Sequence, residues 1–128
     1  MAVDARSTYD PNNVFAKILR GEIPCKKVYE DAFALAFHDI NPQAPTHVLV
    51  IPKGEYVSMA DFTANAPDAL VAGFFRAVGK VAEELGLVEG GYRILANAGV
   101  NAHQEVPHLH VHIFAGAPLG PMLARKIG

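Results

Sequence analysis

The run His108-Leu109-His110-Val111-His112-Ile113-Phe114 alternates imidazole with apolar side chains without a break up to Ile113. Successive side chains of a β-strand point to opposite faces. A strand over 108–114 therefore sets His108, His110 and His112 on one face. Leu109, Val111 and Ile113 fall on the other, where they can anchor the strand to a core. The three rings stand roughly 7 Å apart, twice the strand rise.

Outward from this strand the chain reads as a short series of elements. The loop 98–107 precedes it, and Tyr92 to Asn97 reads as a further strand. Upstream lies the long helix from Pro67 to Leu85, with Leu70, Phe74, Val78, Val81 and Leu85 on one apolar stripe, proline in its first turn and Gly86 as its stop. Residues 55–66 read as a helical turn or two with loop. His47 to Ile51 is rich in β-branched residues and ends at Pro52, the pattern of a strand buried on both faces. A turn-rich linker, Asn41-Pro42-Gln43-Ala44-Pro45, comes before it. Lys26 to Glu30 and Ala34 to Asp39 read as two strands joined through Asp31-Ala32. A short helix carrying Val14, Phe15, Ile18 and Leu19 starts from an Asn12 or Asn13 cap and stops at Gly21.

Residues 1–10 read as a flexible polar arm, and residues 11–128 as one domain whose tail is irregular from about 116. Strands come in groups and do not alternate strictly with helices. That order predicts an α+β fold: a mostly antiparallel five-stranded sheet with one long and one short helix.

Composition narrows the function classes. At 128 residues the chain has the size of one domain. Its 51% hydrophobic and 19% charged content excludes intrinsic disorder. The net charge is −2 and no Lys/Arg run exceeds two, so a basic face for nucleic acid has no support. The mean hydropathy of +0.17 is high for a soluble domain, and a subunit interface would absorb the excess. Cys25 is the only cysteine, which excludes an intramolecular disulfide and suits a reducing compartment. The N-terminus lacks the apolar stretch of a signal peptide, and the longest aliphatic run, Val48 to Ile51, is far short of a membrane span. These features predict a cytoplasmic protein without a membrane partner.

Histidines aligned on one face can bind a metal, relay protons or attack an electrophile. Zinc is one reading, with His103 or His47 completing the ligand set. Against it, three same-face histidines lie in line, whereas a tetrahedral site draws ligands from several directions. Phosphoryl or nucleotidyl transfer is the other reading. Neutral imidazole is a competent nucleophile toward phosphorus near neutral pH, and neighbouring donors can hold the phosphate oxygens and protonate the leaving group. No phosphate-binding glycine loop is present, so histidines, amides and loop backbone would hold the phosphates.

The histidine run resembles the His-φ-His-φ-His-φ-φ signature of the histidine triad superfamily. Further segments are similar to its Hint-type branch: Phe37-His38-Asp39-Ile40, the stretch from Pro42 to Lys53, Gly91-Tyr92-Arg93, Asn97, Gln104-Glu105-Val106, and Pro118 to Leu123. The resemblance spans roughly residues 14 to 124. It implies a homodimeric purine nucleoside phosphoramidase that cleaves the P–N bond of adenosine 5′-phosphoramidates and needs neither cofactor nor metal. By the same resemblance His110 is the nucleophile and carries a nucleotidyl intermediate. His112 contacts the phosphate and assists the leaving group, and His108 supports His110, with His47 in the relay. Asp39 binds the ribose hydroxyls. Ile40, Phe15 and Ile18 wall the base pocket, and Asn97, His103, Gln104 and Glu105 surround the α-phosphate. The alternatives are a catalytically weak purine-nucleotide-binding or partner-binding dimer, and a dinucleoside polyphosphate hydrolase. Two departures stand out. Ala102-His103 replaces a frequent Gly-Gly pair, and Ala115-Gly116-Ala117 replaces Gly-Gly-Arg.

Overall fold

The structure is a computed structural model that describes residues 2–128; residue 1 of the expected arm lies outside the described residues. Eight elements follow one another: α1 (Val14–Leu19), β1 (Lys27–Glu30), β2 (Ala34–His38), β3 (Thr46–Pro52), α2 (Met59–Asn65), α3 (Asp68–Glu84), β4 (Tyr92–Leu95) and β5 (Val111–Ala115). The strands form one sheet in the order β1-β2-β3-β5-β4, with every pairing antiparallel. This is the expected α+β architecture.

Each face of the sheet has its own partner. Ala34 and Ala36 of β2, Val48 and Val50 of β3, and Val111, Ile113 and Ala115 of β5 share one face. They pack against Phe74, Ala77, Val78, Val81 and Ala82 of α3 and against Phe62 of α2. The small residues on both sides let helix and sheet approach closely, and a Cβ at Gly73 of α3 would fall 2.4 Å from the Phe33 ring. On the opposite face, Leu35, Phe37, Leu49 and Ile51 gather under Phe15 of α1. The Asn13 side chain caps α1 by accepting from the Ala16 amide at 2.9 Å, so this short helix is held at its start as well as by burial.

Three details differ from the sequence reading. Residues 59–65 form a second short helix where only a turn or two was expected, and the Asp61 carboxylate near its start accepts from the Val57 amide at 2.8 Å. The ladder of the last strand begins at Val111 and not at His108. β3 ends at Pro52, and the Leu109 amide bonds the Tyr56 carbonyl at 2.8 Å instead of continuing along β3. The alternation of side chains nevertheless runs back through His108. Finally, β4 ends at Leu95, short of Asn97. Among the described residues no helix is long and apolar enough to cross a membrane.

Gly116 closes β5 with a φ of +97°, and a Cβ there would meet the Pro45 Cβ at 2.8 Å. Backbone strain and overpacking add at this position. Gly116→Ala is expected to lower stability by about 2–4 kcal/mol, read by urea unfolding. A loss under about 0.5 kcal/mol would show that the linker 41–45 yields freely.

Candidate active site

The histidines stand on the sheet face shared with Phe15. His108 is fully buried, and His110 and His47 are nearly so. Backbone groups decide where each ring carries its proton. The His108 Nε2 lies 3.1 Å from the Pro52 carbonyl, which can only accept, so Nε2 is protonated and donates. Its Nδ1 is then bare and accepts from the Tyr9 hydroxyl at 2.7 Å. The His110 Nδ1 donates to the carbonyl of His108 at 2.7 Å, which leaves Nε2 of His110 with a free lone pair.

A second chain of bonds sets His112. The Gln43 amide donates to His47 Nδ1 at 3.1 Å, so the His47 proton sits on Nε2. That proton is shared between His112 Nδ1 at 2.9 Å and the Asp39 carboxylate at 3.4 Å. His112 accepts on Nδ1 and so keeps its own proton on Nε2. The site thus presents an unprotonated nitrogen on His110 beside an N–H on His112, with ring centroids 5.2 Å apart. Phe15 meets His110 edge-on at 4.9 Å, and Phe114 stacks on His112 at 5.6 Å, which restrains both rings.

Burial keeps the rings neutral. It lowers the pKa values of His108 and His112 to about 4, assisted in each by the neighbouring His110. Burial also lowers His110, against the opposing effects of the His108 carbonyl, Asp39 and Glu105. It lowers His47 against the pull of Asp39. Nε2 of His110 is therefore unprotonated at neutral pH.

Asp39, His47 and His112 each bring one donor atom within 4.8 Å of the others, a spacing that a divalent ion can span. In the tautomers that the hydrogen bonds set, the three groups form a chain in which the His47 Nε2–H faces both His112 Nδ1 and the Asp39 carboxylate. With Nδ1 occupied by the Gln43 amide, His47 Nε2 bears a hydrogen and has no lone pair for a metal. His103 lies outside this set, exposed and paired with Glu105 at 3.1 Å.

This arrangement of strand histidines also has relatives. A model of the HIT domain family matches residues 20–119. The chain belongs to the HIT family. It is 70% identical over 118 residues to an uncharacterised HIT-like protein of Azospirillum brasilense, covering 92% of this chain and 97% of the relative. It is 45% identical over 113 residues to the purine nucleoside phosphoramidase of Escherichia coli K12, covering 88% and 94%. Among solved structures, a HIT family hydrolase from Clostridium thermocellum matches with a TM-score of 0.79 at 43% identity, covering 88% of this chain and 96% of that one.

Within this HIT fold the remaining candidates fall into three groups. Asp39 and Ile40 follow β2, the carboxylate accepting from the Asn41 amide at 2.7 Å and the Ile40 side chain 92% exposed. Phe15 is core as well as a neighbour of His110, and Ile18 packs partly buried beside it. The loop 98–106 carries the rest. Gln104 is buried, and its amide ties the loop to the segment before α2: it donates to the carbonyls of Val57 and Val106 and accepts from the Gly99 amide. Its side chain braces the loop. Glu105 and His103 are exposed, and His103 holds a φ of +59° where the frequent glycine would sit without strain. Asn97 is half-buried and follows β4.

Three groups that set the tautomers escaped the sequence reading: the Gln43 amide, the Pro52 carbonyl and the Tyr9 hydroxyl. Only Tyr9 left a signal in the sequence, as the lone aromatic of residues 1–10 directly before the Asp10-Pro11-Asn12-Asn13 turn.

Proposed function

We propose that this HIT protein is a nucleotide hydrolase that cleaves the P–N bond of adenosine, or other purine nucleoside, 5′-phosphoramidates and releases AMP. The observation that carries the reading is the bare Nε2 of His110, held in that tautomer by the bond from its Nδ1 to the His108 carbonyl. Nε2 attacks the α-phosphorus as the P–N bond breaks. The ring becomes a cationic adenylyl-imidazolium, and its Nδ1–H bond to the carbonyl strengthens as charge develops. The amine leaves with the bonding pair and takes the proton of His112 Nε2. Water then attacks phosphorus and returns a proton to His112, and AMP departs from a neutral His110. Between the steps the positive charge on His110 offsets the proton missing from the His112–His47 relay.

Substrate binding follows the same reading. Asp39 binds the ribose hydroxyls, and Ile40, Phe15 and Ile18 wall the base. Asn97, His103 and the backbone of Gln104 and Glu105 surround the phosphate. The relative named for purine nucleoside phosphoramidase activity supports the substrate class. The reading includes a homodimer. Its support is the edge strand β4, where Tyr92 and Ile94 are exposed next to unpaired backbone. It also includes a cytoplasmic location, for which the free Cys25 thiol is the support.

The direct test is a rapidly quenched reaction with an adenosine phosphoramidate, followed by mass spectrometry of the protein. An AMP adduct on His110 that forms and decays at the rate of turnover is expected. Product formation with no adduct at any time would remove the covalent mechanism. Faster turnover of a dinucleoside polyphosphate than of any phosphoramidate would remove the substrate class.

A further inference from the structure

His108 is the one histidine of the row that cannot touch a substrate, because it is fully buried and both of its nitrogens are occupied. Its carbonyl nevertheless receives the Nδ1–H that defines the nucleophile, so its placement governs His110. One of its two partners, Pro52, is backbone at the end of β3. The other is the Tyr9 hydroxyl, from a segment 99 residues away in sequence that precedes the first helix.

That segment is built in at both ends of its path. The Val3 amide donates to the Gln104 carbonyl at 2.7 Å, and the Ala5 carbonyl accepts from the Ser58 hydroxyl at 2.9 Å. Beyond Tyr9, the Asn13 amide and side chain both bond the Asp10 carbonyl, and Arg20 donates to the Pro11 carbonyl. Tyr9 sits between these anchors with its ring edge-on to His108 at 5.6 Å. The arm thus ties the loop 98–106, the start of α2 and the histidine row to one another.

We propose that Tyr9 is a positioning residue for the hydrolysis: its hydroxyl fixes the orientation of the His108 ring and, through the His108 carbonyl, the aim of the His110 ring. This rests on the reaction proposed above. Without the hydroxyl, the bare Nδ1 of His108 is a buried acceptor with no partner. The Pro52 carbonyl keeps the proton on Nε2, so the ring can relieve this only by turning or shifting, which strains the bond from Nε2–H to that carbonyl. The His108 carbonyl, which receives the His110 Nδ1–H, moves with that ring. Burial raises the Tyr9 pKa, which keeps the phenol protonated and donating across the neutral range.

The test is Tyr9→Phe in the full chain, which keeps the ring contact and removes only the donor. Steady-state kinetics with an adenosine phosphoramidate and histidine 15N spectra are recorded on the same samples. Expected are a kcat lower by about tenfold with KM within about twofold, a shifted His108 Nδ1 resonance, and shifted or broadened His110 ring resonances. Wild-type His110 ring resonances in the variant would overturn the proposal, whatever happens to the rate. So would an unchanged kcat, or a rise in KM at constant kcat, which would make Tyr9 a substrate contact. A variant that does not fold would also overturn it, by giving Tyr9 a purely structural role. If the wild type turns over no phosphoramidate, the reaction is at fault, and the His110 ring resonances alone decide whether Tyr9 positions the row.

Discussion

Replacing His110 with alanine is expected to lower kcat/KM for an adenosine phosphoramidate by about 10³–10⁴-fold, the loss that follows if His110 is the nucleophile proposed above and the rest of the site remains. The cause is specific. No other imidazole of the row offers a bare nitrogen: His108 has both nitrogens engaged, and His112 keeps its proton on Nε2 by accepting from His47. Water attacking phosphorus directly would lack a nucleophile aligned by the protein. Binding has a different dependence. Asp39, Ile40 and the loop 98–106 are untouched by the change, so the dissociation constant of AMP should stay within about threefold. The deleted ring packs against Phe15, so far-UV circular dichroism and a melting curve accompany the kinetics. Activity within about tenfold of wild type, from a folded variant, would mean that His110 does not carry the nucleotidyl group.

Acid is expected to destabilise the fold through these same rings. The His108 pKa falls from the ordinary 6.5 to about 4 on folding. The unfolded chain therefore binds this proton first as pH falls. The contribution is fully present above about 6.5 and is lost progressively down to about 4. For this one buried ring the loss is about 3 kcal/mol. Burial lowers His110, His47 and His112 as well, so they act in the same direction. The carboxylates with lowered values, Glu30 at about 2 and Asp31, contribute only at lower pH. Urea unfolding at steps from about pH 7 to about pH 4 should show stability falling by at least about 3 kcal/mol. A flat profile over that window would mean that the row is charged or open to solvent in the native state.

Much of this arrangement was legible in the residues themselves. The β-branched run ended by Pro52 marked β3, and the apolar stripe through Phe74, Val78 and Val81 marked α3. The strict alternation from His108 to Ile113 marked which face carries imidazole. These are local signals, since the period of a side-chain pattern follows from backbone geometry alone. The second short helix was harder to read, because its seven residues bury a single side chain, Phe62, and show no period. The start of the last strand was misplaced for a related reason. Where a ladder begins depends on the partner strand, and here that strand stops at a proline.

The residues alone placed three imidazoles on one face, a surface suited to a metal or to a phosphorus electrophile; the resemblance to the histidine triad superfamily added the carboxylate of Asp39 and the fourth histidine, His47. Folding alone decided which nitrogen of each ring is bare. A proton on imidazole goes wherever the facing group cannot supply one. The groups in question are a carbonyl 56 positions from His108, a tyrosine 99 positions from it, and a histidine 65 positions from His112. No periodicity encodes those encounters, because they exist only once the sheet has brought β3, β5 and the arm together.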